Sequence, residues 1–203
     1  MTSTLGRIEM PALIAAIVGP IQSVSGWMIA GSLWPGYDPV RLTISDLAAP
    51  ESPVNAIMSS FFVLGGVLTL LVAFYAKTFS MTGRVVIFVS ALCTFGLTIF
   101  PTPLEGSSTA HRIFAIASFV LSAGWQLFAM RTRKDAHWII RPVASISFTI
   151  FQAILATSFL FVWADKTATD VGVWERVVAT SQVLQMSVVL LVLYLSQRRS
   201  QTA

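Results

Sequence analysis

Six long apolar runs, each near the roughly 20 residues a helix needs to cross a hydrocarbon core, are separated by short polar segments along this chain. They cover about 11–33, 55–76, 85–100, 111–130, 140–164 and 174–195. Backbone groups in lipid must be satisfied within the segment, so runs of this length are read as helices. The two-residue alternation of an outer-membrane barrel strand is absent. The pattern therefore predicts an all-α, polytopic membrane protein, with residues 1–203 forming a single membrane domain built as a six-helix bundle. A cleaved signal peptide over the first run is the competing reading of that segment. Its length and the Gly19-Pro20 interruption favour a retained span.

The connections are short except for 34–54, so any chemistry falls to the helix ends and this first loop. Charge orients the bundle. Arg7, Lys77, Arg84, Arg131, Arg133, Lys134, Arg141, Arg198 and Arg199 lie on one side, and Arg41, Arg112, Lys166 and Arg176 on the other. Cytoplasmic loops carry the excess of Lys and Arg, which puts both termini in the cytoplasm. Asp38, Asp46, Glu51, Glu105, Asp165, Asp170 and Glu175 fall on the opposite, outer side. Trp34, Tyr37, Trp163 and Trp174 at the outer level, with Tyr75, Trp138 and Tyr194 at the inner, suit interfacial belts.

Composition agrees with this picture: 55% of residues are hydrophobic and 11% charged, about half the charge usual in a soluble domain. The net charge of +4 forms no basic stripe outside the spans, so nucleic acid is not expected as a partner. Membrane lipids are, and a membrane-protein partner is open, as is the oligomeric state. Cys93 is the single cysteine, which excludes an intrachain disulfide. The expected location is the plasma (inner) membrane.

Ionisable residues near a membrane interior are costly and usually mark a function or a partner. His111 and Arg112 open the fourth span, and Glu175 and Arg176 the sixth. The loop carrying Tyr37, Asp38, Arg41, Ser45 and Asp46 lies on the same outer side. Polar residues continue inward at helical spacing: His111, Ser118, Ser122 and Gln126; Ser145, Thr149 and Gln152; Glu175, Gln182 and Gln185. Such stripes serve either interhelical hydrogen bonding or a hydrated pocket. Gly19, Ser23, Gly26 and Ala30, with Gly65 and Gly66, read as close helix packing. In the first loop, Asp38-Pro39 predicts a short interfacial helix through Leu47, with Asp38 as its cap. Asp46, three residues after Thr43, offers a capping-box start instead.

No nucleophile elbow, zinc-protease helix, phosphate loop or cysteine pair is present. Asp46, His111 and Glu175 are residue types that suit a three-ligand zinc site, and they suit equally an ion-pair cluster with Arg112 and Arg176. No metal site and no cofactor is assigned.

Pro35-Gly36-Tyr37-Asp38-Pro39 and Thr43-Ile44-Ser45-Asp46-Leu47, followed by Phe100-Pro101, His111 and Trp174-Glu175-Arg176, resemble the bacterial and archaeal membrane family known as domain of unknown function 998. The Ile-Ser-Asp element with Pro50-Glu51-Ser52-Pro53 is more distantly similar to the eukaryotic DRAM, Frag and Sfk proteins, where Thr-Gly stands in place of Leu47. The first resemblance implies no particular activity. The second implies six helices and a link to lipid. Together they single out Asp46, His111 and Glu175.

The expectation is thus a lipid- or amphiphile-binding site at the outer leaflet, able to modify its ligand if chemistry follows. Asp46, His111 and Glu175 would form its catalytic or polar centre, His111 carrying protons. Tyr37, Arg41, Ser45, Arg112 and Arg176 would bind ligand. A small-molecule or ion transporter and a scaffold without a ligand are the alternatives, and whether the protein is an enzyme is left open.

Overall fold

The computed structural model describes residues 6–202, with side chains through Arg199. Seven α-helices follow one another: α1 (Met10–Ser32), α2 (Ile44–Leu47), α3 (Asn55–Tyr75), α4 (Met81–Ile99), α5 (Thr109–Ala129), α6 (Pro142–Ala164) and α7 (Val171–Thr202), with a 3-10 turn at Trp138–Ile140 before α6. All but α2 are long and apolar enough to cross a membrane. Apart from an isolated antiparallel bridge between Ile8 and Ala76, the described residues form no β-structure.

The six spans stand in a ring in the order α1, α3, α4, α5, α6, α7, and α7 returns to α1. Small residues set the closest crossings. A Cβ at Gly26 would fall 2.7 Å from the Phe61 ring and one at Gly66 2.6 Å from Phe95. Ser90 and Ser122 share a 2.9 Å hydrogen bond between α4 and α5.

The helix limits depart from the apolar runs for local reasons. α4 begins four residues before 85 because Ser80 caps it, accepting from the Gly83 N–H at 3.1 Å. Arg84 then binds the Ala73 and Phe74 carbonyls at the end of α3, at 2.7 and 2.8 Å. α7 starts before Trp174 and continues past Leu195, through a polar turn that apolarity could not mark.

The end bearing residues 6–9, 76–80, 130–141 and the end of α7 is tightly tied. Gln197 accepts from the Ile8 N–H at 3.0 Å and donates to Thr78 Oγ1 at 2.9 Å. Arg131 holds the Thr78 and Phe79 carbonyls. Behind these ties lies the largest apolar cluster, including Val72, Phe79, Ile87, Trp125, Leu190 and Leu193.

Candidate functional site

At the opposite end, the first loop folds back over the ring. Thr43 and Asp46 make a reciprocal capping box: the Asp46 N–H donates to Thr43 Oγ1 at 3.0 Å, and the Thr43 N–H to Asp46 Oδ2 at 2.7 Å. The helix is only the turn Ile44–Leu47, shorter than the expected start at Asp38. Asp38 caps a separate single turn, its side chain accepting from the Val40 N–H at 2.9 Å and its carbonyl from the Leu42 N–H at 2.8 Å, and that turn does not run on into α2. The physical reason lies on α7. Arg176 draws the Pro39 and Leu42 carbonyls, each at 2.9 Å, towards itself and away from a helical ladder.

Arg176 is buried and also donates to the Gly172 carbonyl at 2.7 Å and to the Tyr37 hydroxyl. Its guanidinium lies 5.3 Å from the Trp27 ring centre and 5.6 Å from that of Tyr37. The loop approaches so closely that only glycine fits at 172, where a Cβ would sit 2.2 Å from the Leu42 carbonyl oxygen. Tyr37 hydrogen-bonds the Thr43 and Leu42 carbonyls at 2.9 and 3.2 Å and stacks on Trp34.

Burial pushes the Tyr37 hydroxyl from 10.0 up to about 12, partly offset by Arg176. The folded state thus holds this proton more tightly than the unfolded chain does. The contribution is complete below pH 10.0 and lost as pH rises through about 12. Alkaline titration of thermal stability is expected to show a Tyr37-dependent fall in that window. Tyr37→Phe should lower stability at neutral pH and remove that component of the fall. An unchanged alkaline profile in the variant would refute the assignment.

Glu175, one residue before Arg176, is also buried. Its carboxylate accepts from the Ile44 N–H and, at 3.0 Å, from the Ser45 hydroxyl. It therefore holds the first turn of α2 from below. Asp46 lies on the same turn. His111 is buried at the start of α5, with Nδ1 3.0 Å from the Phe100 carbonyl and its N–H bonded to Ser108 Oγ at 3.2 Å. It braces the α4–α5 connection. Glu51 accepts from the Leu104 N–H at 3.1 Å and joins that connection to the first loop.

Glu175, Ser45, Asp46, Tyr37 and Arg176 thus meet around α2. Arg112 lies apart, its guanidinium 5.6 Å from the Trp163 ring centre, and Arg41 is exposed beside Asp38 at 3.7 Å. Among the described residues no three His, Cys, Asp or Glu side chains gather to hold a metal ion.

Below α2 lies a chamber of about 200 Å³, lined by α1, α2, α3, α4, α5 and α7. Glu175, Ser45 and Ile44 line its α2 end. Its walls combine apolar residues such as Phe61, Phe62 and Leu97 with Ser90, Thr94, Ser118, Ser122 and Gln182. Gln22 Oε1 and Trp27 Nε1 are buried in this lining without a hydrogen-bond partner. Neither residue stood out in the sequence. The available signal was Gln22 itself, an amide in the middle of an apolar span.

Of the polar stripes, Ser118, Ser122, Glu175 and Gln182 reach the chamber. Gln126, Gln152 and Gln185 bond between helices, Gln185 donating to Gln126 Oε1 at 2.6 Å and Ser181 to Gln152 Oε1 at 3.0 Å, while Ser145 Oγ and Thr149 Oγ1 are buried without a partner.

Six apolar helices in a ring, roofed by a short loop helix, define an integral, multi-pass membrane protein. The chain matches the family model described as "Protein of unknown function (DUF998)" over residues 17–192, and it belongs to that family. No curated protein and no solved structure matches it.

Proposed function

We propose that this protein binds a lipid or amphiphile in the chamber beneath α2, at the outer face of the plasma membrane. The observation that carries the reading is the chamber itself. It is lined by five spans and α2 and is apolar over much of its wall, with polar groups such as Ser45, Ser90, Thr94, Ser118, Glu175 and Gln182 set into it. Mostly apolar lining with a few placed polar groups is the usual character of a ligand site. Glu175 and Ser45 would form the polar end, with Asp46 and His111 in the surrounding shell. The apolar cluster around Trp125 and Leu190 closes the opposite end, which favours a binding site over a continuous path.

The test uses purified protein and native mass spectrometry of co-purified lipid, run beside thermal unfolding in detergent. Ser118→Phe, which fills the chamber, and Glu175→Gln, which alters its polar end, are expected to lose bound amphiphile. Ser118→Phe should keep its melting temperature within a few degrees. Retention of the same lipid by both variants would end the binding reading and favour a scaffold.

The orientation belongs to the same proposal. Arg7, Lys77, Arg84, Arg131, Arg133, Lys134, Arg141, Arg198 and Arg199 supply the end away from α2 with nine of the thirteen Lys and Arg residues, which supports cytoplasmic termini. Reporter fusions after Thr109 and after Arg199 are expected on opposite sides, the second in the cytoplasm. The same side for both would reject this topology.

A further inference from the structure

Resting on that reading, we infer that the chamber selects an amphiphile with a positively charged ammonium head, held at the α2 end by Glu175, over an uncharged or anionic one. Glu175 is the one ionisable group among the described lining residues and is only 5% exposed. A buried carboxylate is costly unless it is paired. The ion pairs among the described residues join Arg41 to Asp38, Lys77 to Glu9 and Arg133 to Asp135, and none includes Glu175. Arg176 follows it in sequence but leaves the helix about 100° further round. Its terminal nitrogens are committed to the loop and Gly172 carbonyls and to Tyr37. No Lys, Arg or His lines the chamber among the described residues, so its one fixed charge is negative.

The hydrogen-bonding capacity left over points the same way. The Glu175 carboxylate accepts from the Ile44 N–H and the Ser45 hydroxyl, two of the roughly four sites an ionised carboxylate offers. Ser45 has thus given its hydrogen away, and its oxygen lies 3.0 Å from Glu175 Oε1, close enough for one ammonium group to touch both. Elsewhere in the lining, Thr69, Thr94 and Ser187 donate to carbonyls of their own helices at 2.9, 3.1 and 3.0 Å, and their oxygens too are left to accept. An ammonium group brings donors and no acceptor. A carboxylate or phosphate head brings acceptors and a like charge. An alcohol can donate once and leaves the charge unpaired.

The rest of the wall makes the cation an organic one. A metal ion needs oxygens on several sides, and no three His, Cys, Asp or Glu side chains gather among the described residues. Phe61 and Phe62 line the chamber and pack against the apolar cluster that contains Ile44, giving an alkyl body a dry surface near the head. A cavity of about 150 Å³ accommodates benzene, so one of about 200 Å³ fits a short alkyl chain or the end segment of a longer one.

The test is isothermal titration calorimetry of hexylammonium, hexanol and hexanoate into the protein in phosphatidylcholine nanodiscs, with empty nanodiscs subtracted. Hexylammonium is expected to bind at about tenfold lower concentration than hexanol, and hexanoate more weakly than either. Glu175→Gln, which keeps the shape and removes the charge, should bring hexylammonium to the level of hexanol. Ser118→Phe fills the chamber without touching Glu175 and should weaken hexylammonium as well, which keeps the test in force if Glu175→Gln does not fold. Displacement of hexylammonium by hexadecylammonium supplied in the nanodisc lipid supports a bilayer source for the head, and survival against it supports a soluble amine. Hexanol or hexanoate binding as tightly as hexylammonium, or a preference unmoved by Glu175→Gln, overturns the ammonium inference and leaves the chamber a ligand site. Hexylammonium binding unmoved by Ser118→Phe overturns it too, by placing the probe outside the chamber. Saturable binding of none of the three also overturns it, and the binding reading falls with it only if both variants retain the same co-purified lipid.

Discussion

Replacing Arg176 with alanine is expected to destabilise the protein by about 3–5 kcal/mol, the range found when one partner of a buried charged network is removed. The guanidinium satisfies the carbonyls of Pro39, Leu42 and Gly172 and engages the Tyr37 hydroxyl. Alanine leaves these groups without that donor, at about 1–3 kcal/mol for each that water does not reach. It also leaves the Glu175 carboxylate buried without its neighbouring cation. Arg176→Lys keeps the charge but not the planar fork that reaches several acceptors at once, and should fall between the two. Thermal unfolding in detergent orders the three proteins. A loss below about 1 kcal/mol for the alanine variant, the range of an exposed pair, would show that the loop does not depend on this residue.

The second large effect is expected at Gly83, where α4 begins against the end of α5. A Cβ there would lie 2.3 Å from the Cα and 2.5 Å from the nitrogen of Ala129. The obstacle is backbone, so no side chain can turn aside to make room. Gly83→Leu should therefore separate the two helices and weaken the bonds that Ser80 makes to the end of α5, its N–H donating to the Ala129 carbonyl at 3.3 Å and its Oγ to the Phe128 carbonyl. Overpacking of this kind costs about 1–3 kcal/mol and sometimes more. Gly124→Ala is the control, because a Cβ there meets nothing within 4 Å. It is expected to be neutral or slightly stabilising through helix propensity. Equal melting temperatures for Gly83→Leu and Gly124→Ala would refute the close crossing.

The spans were legible because lipid imposes one requirement on every residue of a crossing segment, and that requirement is local. Thr43 and Asp46 were legible for the same reason, since a capping box is complete within four residues. The arrangement around α2 was not. Glu175 and Arg176 read alike as charges at a helix start, yet one holds backbone and side-chain donors of α2 and the other holds carbonyls of the loop before it. That division depends on which face of α7 meets which turn of the loop, more than a hundred residues earlier in the chain. Asp38 illustrates the cost of local reasoning. Its sequence neighbours favour a helix, while a distant guanidinium redirects the carbonyls that the helix would need. Gln22 was hidden differently, because a single amide in an apolar span looks the same whether it bonds a neighbouring helix or faces a chamber.

The ring order has a consequence for biogenesis. Neighbours around the ring are neighbours in sequence except at one seam, where the first span meets the last. A nascent chain can thus pair its spans two at a time as they enter the bilayer, yet the circle stays open until α7 arrives. That last span carries Glu175, Arg176 and Gln182, so the enclosure and its roof contacts are completed together, in a single late event. A chain stopped after α6 would leave the chamber-lining side of α1, with Gln22 and Ser23, at the open seam.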